Sequence, residues 1–325
     1  MLVQATRLSS VLVVGSINAD LILRTPRLPE PGESLIGSGY TRVAGGKGAN
    51  QAVAAARLGG QVTFVGKIGR DAEGEFLQQQ LDREGIRAEF LSTSPSAPTG
   101  LAVIAVDDQA RNAIMVVPGA NHELTEADIA AALNAASYDA LILQLEIPPN
   151  SVIAACHLAK AKQIPVILDA GPAQEFPLEE LPSIDILTPN ETETFALTRI
   201  RPDDTPSARR AAYFLLERSR AKAVVLKLGE RGSFLFDREG LCVHLPAYRV
   251  SAVDTTAAGD AFTAALTLEY VRSGDLLHAM RNGNAAGALA AMHPGTQPSL
   301  PTQAALEQFC AQHEVHAARK EARAR

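Results

Sequence analysis

Short runs of β-branched and aliphatic residues alternate along this chain with longer stretches rich in alanine and leucine, and few architectures accept that alternation. Val11–Val14 reads as a buried strand, Gly48–Leu58 as a helix with Ala52, Ala54, Ala55 and Ala56 as close-packing residues, and Val62–Val65 as the next strand. A helix follows over Ala72–Glu84, with Gly85 as its stop. The pattern resumes with strand Ala140–Leu145, helix Ser151–Lys162 and strand Val166–Asp169. Strand Ile184–Leu187, helices Asn190–Leu197 and Ala208–Arg218, and strand Ala223–Leu228 complete it. Strands joined through helices pair in parallel. The rhythm therefore predicts an α/β fold, a mostly parallel sheet covered by helices on both faces.

Two stretches depart from this rhythm. Residues 21–42 and 99–117 are strand-rich with no helix between the strands. Leu101–Val106, a loop over Asp107–Arg111, and Ala113–Val117 together resemble a hairpin. Both stretches predict one small β insertion, placed to act as a lid over a site at the carboxyl edge of the main sheet, where open α/β sheets bind ligands. The same pattern also describes surface strands with no such role.

Composition narrows the function classes. With 46% hydrophobic and 20% charged residues among 325, the chain has the material for a large core rather than for disorder. A net charge of -6 supplies no basic field for nucleic acid or anionic lipid, so an anionic small molecule would need local positive ends. Cys156, Cys242 and Cys310 are scattered and odd in number, which suits neither a disulfide framework nor a zinc site. No apolar run reaches membrane-spanning length. These features predict a cytoplasmic protein with reduced thiols. His313–Arg325, rich in charge and alanine, reads as a solvated helical tail.

The strongest chemical signal is Asp254–Asp260 (DTTAAGD), followed by an apolar helical pattern over Ala261–Leu268. Small residues let the backbone approach a ligand, and the following helix aims free N–H groups and a positive dipole end at the turn. That is an anion hole suited to phosphate. Asp260 at its mouth is either a general base for an attacking hydroxyl or a helix N-cap stabilising by roughly 1 kcal/mol. Gly45–Asn50 (GGKGAN) also precedes a helix of small residues but lacks the spacing and hydroxyl of a nucleotide P-loop. Its Lys47 and Asn50 suit a polyol, or the glycines simply tighten a turn. Asn18 and Asp20, two residues apart after the first strand, share a face and suit sugar hydroxyls, or a hydrogen-bonded turn. Asn190–Glu193 sits at a helix start, where capping explains it, although carboxylates at a phosphate site also serve Mg²⁺ and its waters. Lys227–Gly232 forms one wall of a nucleotide pocket or a plain hairpin turn. Gly15–Asp20 lacks the G-x-G-x-x-G that a dinucleotide-binding dehydrogenase would show.

In sequence order, GSINAD at Gly15–Asp20, GGKGANQAVAAARLG at Gly45–Gly59, QLE at Gln144–Glu146, TPNETE at Thr188–Glu193, KLGERG at Lys227–Gly232 and DTTAAGD at Asp254–Asp260 resemble the ribokinase/PfkB family of carbohydrate kinases. The likeness runs from Val11 to Phe309. It implies a doubly wound α/β domain over residues 1–310 with a β-sheet lid from about 21–42 and 99–117, a charged tail at 311–325, and a homodimer through the lid. It implies ATP-dependent phosphorylation of the 5-hydroxyl of ribose, with deoxyribose, another pentose or hexose such as fructose, a sugar acid or a nucleoside as alternatives. A non-catalytic sugar or nucleotide sensor would be expected to have lost the base or the anion hole, and neither is lost.

Carried over by position, Asn18, Asp20, Gly46, Lys47, Asn50 and Glu146 match the sugar-binding residues. Asp260 matches the catalytic base, and Ala257, Ala258 and Gly259 the N–H donors to the transferring phosphoryl. Asn190, Glu193, Lys227, Gly229, Arg231, Gly232 and Asn284 match positions around Mg²⁺ and the nucleotide. Asp254, Thr256, Ala290, His293, Gly295 and Ser299 match a site for a monovalent cation, usually K⁺, with several acting through backbone carbonyls. Three departures stand out. Asp169–Pro172 (DAGP) replaces the Asn-Pro-Ala-Pro run common in the family, Lys227 replaces a small hydroxyl residue, and His293 replaces a frequent arginine.

Overall fold

The computed structural model describes residues 8–109 and 111–323, with side chains as far as His313. The first half of the chain runs β1 (Ser10–Val14), β2 (Asn18–Thr25), β3 (Gly39–Gly45), α1 (Lys47–Arg57), β4 (Gln61–Ile68), α2 (Ala72–Arg83), β5 (Arg87–Thr93), β6 (Gly100–Asp107), β7 (Asn112–Val117), α3 (Glu126–Ala135) and β8 (Ala140–Leu143). There follow α4 (Pro149–Ala161), β9 (Val166–Leu168), β10 (Ile186–Leu187), α5 (Glu191–Thr198), α6 (Thr205–Ser219) and β11 (Ala223–Lys227). The chain ends with β12 (Ser233–Asp237), β13 (Cys242–Leu245), α7 (Ala258–Ser273), α8 (Leu276–Ala291) and α9 (Gln303–Arg323). The charged residues beyond His313, expected to be a solvated tail, have side chains outside those described.

Among the described residues the larger sheet has the order β13-β12-β11-β10-β9-β8-β1-β4-β5. β11 through β5 are parallel, and β12 and β13 turn back antiparallel at one edge. Alternation along β1 explains why helices cover both faces. Leu12 and Val14 join one core with α3, α4, α5 and α6, whereas Val11 and Val13 join another with α1, α2, α7, α8 and α9. From β1 the chain builds outward to β4 and β5 on one side and from β8 on the other. The carboxyl ends of β1 and β8 therefore border the crevice where an open sheet of this kind takes its ligand. β9 and β11 end one residue earlier than their sequence pattern suggests, and two other strands are each two residues shorter. β8 stops at Leu143, and Leu145 N–H turns to the Gly171 carbonyl. β10 begins only at Ile186 because the Asp185 carboxylate takes the Val166 N–H at 2.8 Å in place of a ladder bond.

The two helix-free stretches form a second sheet, β3-β2-β6-β7, with β2 parallel to β6 and both outer pairs antiparallel. It begins earlier and ends later than expected, since β2 starts at Asn18 and β3 reaches Gly45. Residues predicted for sugar binding thus lie in the roots of the lid strands. Asn121, in a 3₁₀ turn over Gly119–Glu123, stitches those roots to the body. Its amide oxygen accepts from Ile17 N–H at 2.9 Å, and its Nδ2 donates to Ile17 O, Pro118 O and Asn18 Oδ1.

The start of α1 lies almost against the turn after β1. A Cβ on Gly48 would stand 2.7 Å from backbone atoms of Gly15 and Ser16, too close without moving the main chain. Gly48→Ala is expected to lower unfolding free energy by about 1–3 kcal/mol, as overpacking does. Urea denaturation checks this. Unchanged stability would mean that the α1–β1 contact is slack.

Candidate active site

α1 and α7 enter this crevice without a side-chain N-cap; α4, after Pro148, also lacks one. α2, α3, α5, α6 and α8 are capped by Asp71, Thr125, Asn190, Asp204 and Asp275. α1 instead starts after Gly46 at φ 87°, and α7 starts after Ala257, neither with a side-chain cap. A Cβ on Gly46 would meet Ile17 Cα at 2.8 Å, so both the positive φ and the close approach require glycine there. At the head of α7 the Ala258 N–H is shared with the Thr255 carbonyl at 3.2 Å, and among the described residues those of Ala257 and Gly259 have no backbone acceptor, which is what an anion needs.

Asp260 is no N-cap. It sits in the first turn of α7, 3% exposed, and its carboxylate reaches across to α1. Asn50 Nδ2 donates to its Oδ2 at 3.0 Å and Gln51 Nε2 to its Oδ1 at 3.0 Å. Gln51 Nε2 also donates to Asp169 Oδ2 at 2.7 Å, and Gln144 Nε2 fixes the Gln51 amide by donating to its Oε1 at 2.6 Å. Burial raises the Asp260 pKa to about 6; Lys47 and the two amides pull it down, and Asp169 pushes it up. Asn50 Oδ1 is buried and has no hydrogen-bond partner among the described residues. A buried acceptor beside the base is suited to a ligand hydroxyl.

The predicted sugar residues come together next to it. Glu146 accepts from Lys47 N–H at 3.0 Å and from Ser16 Oγ, which joins the end of β8 to the loop after β1. Asn18 Oδ1 is engaged by Asn121 at 2.8 Å, which leaves its Nδ2 as the donating end. Asp20 lies against Gly45, and burial, then the neighbouring Glu146, raise its pKa to about 7. The Lys47 ammonium approaches Gly171 and Glu193 from the other side. Burial opposes its charge, yet Asp260, Asp169, Glu193 and Glu146 hold its pKa above the usual lysine value.

The nucleotide-side residues divide. Asn190 and Glu193 make a reciprocal capping box at α5, the structural explanation open from sequence. Glu193 is also buried in the site, where burial raises its pKa while Lys227 and Lys47 counter it. Gly229 (φ 53°) and Gly232 (φ 94°) form the tight turn between β11 and β12. Arg231 is turned toward the Pro202 carbonyl at 2.7 Å and toward Glu191. Asn284, on α8, is buried near the Pro246 carbonyl. Lys227 points inward, its Nζ 2.6 Å from Asp169 Oδ1.

Behind the head of α7, Asp254 accepts from Thr256 N–H and Oγ1 and from Gly295 N–H. These bonds outweigh its burial and hold its pKa below the usual carboxylate value. The Ala291 carbonyl takes the Val253 and Asp254 N–H groups, so the segment before α7 is tied to the end of α8. Ala290 O accepts from His293 N–H and Ser299 Oγ donates to Thr296 O, while the His293 side chain faces solvent. Thr296 Oγ1 donates to Ala44 O at the foot of the lid.

Residues 8–303 match the pfkB family of carbohydrate kinases. The chain belongs to that family. A ribokinase of Haemophilus influenzae is 38% identical to this pfkB kinase over 295 residues, 90% of this chain and 96% of that protein. A deoxyribokinase of Salmonella typhi is 36% identical over 301 residues, 92% of this chain and 97% of its relative. The structure of Arabidopsis thaliana ribokinase complexed with ribose and ATP has a TM-score of 0.84 at 32% identity, covering 93% of this chain and 98% of that one. Sequence reasoning missed Gln51, Gln144 and Asn121 in this kinase. Gln51 and Gln144 were inside the recognised motifs, but their roles arise only when α1, α7 and β8 converge.

The pH dependence of kcat/KM tests the Asp260 network. A carboxylate with pKa raised to about 6 acts as a base above that value and is protonated below it. Activity should therefore fall as pH drops through about 6. Gln51→Leu removes a donor that holds the pKa down, so its acid limb should lie at higher pH. An unmoved limb in a folded variant would separate Gln51 from the base.

Proposed function

We propose that this enzyme transfers the γ-phosphoryl of ATP to D-ribose, forming D-ribose 5-phosphate. The observation that carries the reading is the buried Asp260 carboxylate in the first turn of the uncapped α7, gripped by two amides of α1, the helix whose first turn also contributes to the polyol pocket. Asp260 takes the proton of the attacking hydroxyl, and the N–H groups at Ala257–Gly259 stabilise negative charge on the transferred group. Asn18, Asp20, Gly46, Lys47, Asn50 and Glu146 orient the sugar, with the orphaned Asn50 Oδ1 accepting a hydroxyl. Asn190, Glu193, Lys227, Gly229, Arg231, Gly232 and Asn284 border the nucleotide, the last four shaping its pocket from further out. Phosphoryl transfer asks the protein mainly for position and charge, which this set supplies.

The donor chemistry suits a divalent cation arriving with ATP. Asp169, Glu193, Asp260 and Glu146 outnumber the ammonium groups of Lys47 and Lys227, so a triphosphate would otherwise enter an anionic site. Mg²⁺ bound with its waters near Glu193 would offset that charge. The oxygen-rich corner formed by Asp254, Thr256, Ala290, His293, Gly295 and Ser299 suits K⁺, whose charge would support the head of α7. Exchanging K⁺ for tetramethylammonium should lower kcat, and equal activity would exclude a cation role.

Tyr40, Ile114, Met115, Val116 and Val117 leave apolar lid surface exposed, Met115 by 63%, and we assign that surface to a second copy of the chain. Sedimentation should show a dimer; a monomer at micromolar concentration would remove this assignment. The kinase unit is taken as 1–310, with 311–325 as an appendage, because the family match ends at residue 303. Among the described residues no helix is long and apolar enough to cross a membrane. A cytoplasmic location fits the need for ATP.

Deoxyribose is the second reading, favoured by the similar identity to the Salmonella deoxyribokinase. ADP formation with ribose, 2-deoxyribose, fructose, 2-keto-3-deoxygluconate and adenosine separates the candidates. Ribose should give the highest kcat/KM, and preference for deoxyribose would reassign the substrate. Asp260→Asn should lower kcat by about 10²–10⁴-fold with sugar affinity kept. Near-normal turnover would remove Asp260 as base.

A further inference from the structure

Two of the departures noted in the sequence are partners in space. Asp169 stands where the family commonly has asparagine, and Lys227 where it has a small hydroxyl residue. Their side chains form an ion pair with Lys227 Nζ 2.6 Å from Asp169 Oδ1. The two side chains are therefore one buried pair, joined through Gln51 to Asp260 rather than set in a remote wall.

The pair is placed unfavourably for a purely structural role. Lys227 is 8% exposed, and a Cβ on Gly259 would stand only 3.6 Å from its Nζ. The ammonium thus sits beside the first turn of α7, whose positive dipole end disfavours a cation. Buried ion pairs contribute little net stability over apolar packing, so stability alone gives little reason to keep one here. An anion at the head of α7 reverses the balance, because it is attracted by both the helix and the ammonium. Asp169 does not depend on Lys227 for its orientation. Its Oδ2 also accepts from Gln51 at 2.7 Å and from Thr263 Oγ1 at 3.3 Å. The ammonium carries three N–H donors, and the bond to Asp169 uses one of them.

We propose that Lys227 is a catalytic residue that contacts the transferring phosphoryl together with the N–H groups of α7, and that Asp169 is the positioning residue that aims it. Through Gln51, Asp169 also links this cation to the base Asp260. The inference rests on the kinase reading and adds to it a side-chain charge on the phosphoryl group.

The test compares the wild type with Lys227→Met, Asp169→Asn and the double variant K227M/D169N. Readouts are sugar-dependent ADP formation, the KM for sugar, the dissociation constants of ADP and a non-hydrolysable ATP analogue, and the thermal midpoint. Lys227→Met should lower kcat by about 100-fold, the loss seen for one donor to a developing oxyanion, and weaken the triphosphate analogue more than ADP. The sugar KM should stay within about twofold of wild type. Asp169→Asn should lower kcat less. The double variant leaves no unpaired buried charge, so it should regain the thermal midpoint but not kcat. Wild-type kcat in a folded double variant would overturn the proposal and leave a structural charge pair. Equal weakening of ADP and the triphosphate analogue would also overturn it, since the contact would not be to the γ-phosphoryl. Failure of the kinase reading shows separately, as a wild type without sugar-dependent ADP formation.

Discussion

A carboxylate taken out of water has to be surrounded by donors, and the centre of this molecule is arranged to meet that demand for Asp260. Two amides from α1 hold it, a third amide from the end of β8 holds one of those, and Asp169 takes the remaining N–H of Gln51. The requirement fixes how α1 meets α7 and how both meet the carboxyl edge of the sheet. Glycine at 46 and 48 allows the approach, and alanines along α1 and α7 keep the helices close. The same interactions give each Asp260 oxygen one donor and leave the Asn50 amide oxygen without a partner among the described residues. The raised pKa of Asp260 and the orphaned Asn50 oxygen are two signs of a site finished only by substrate.

Charge at this centre is distributed by position. Lys47 enters from the head of α1 and Lys227 from the end of β11, with Asp169 and Glu193 between them. Neither lysine is a surface cation screened by solvent. Each lies among carboxylates that would repel phosphate if left alone. The arrangement is therefore poised between opposing local fields, and a bound phosphoryl group with its divalent cation is the species that reconciles them.

Much of the fold was legible because the physics that sets it is local. Strands buried on both faces read as β-branched runs, helices read through their small packing residues, and the helix-free stretches gave the lid. What the sequence obscured was produced by distant contacts. β10 shrank because the side chain of Asp185 replaced a ladder bond. Asn190 and Glu193 resolved as a capping box that also serves the site, a dual use no spacing distinguishes. Gln51 is adjacent to Asn50, yet only its distances to Asp169 and Asp260, more than a hundred residues further on, give it a role. The Asp169 and Lys227 departures looked independent in the sequence because 58 positions separate them.

Asn121 clamps the point at which β2 leaves the body, and β2 begins with Asn18 itself. The strand is 8 residues long, so its far end lies about 23 Å from the clamp. A rotation of about 10° at Asn18 would sweep that end by about 4 Å, close to one strand spacing. The lid is thus a lever whose fulcrum is Asn18. A small displacement at the short arm becomes a large excursion at the long arm, and load on the exposed edge is geared down before it reaches the body.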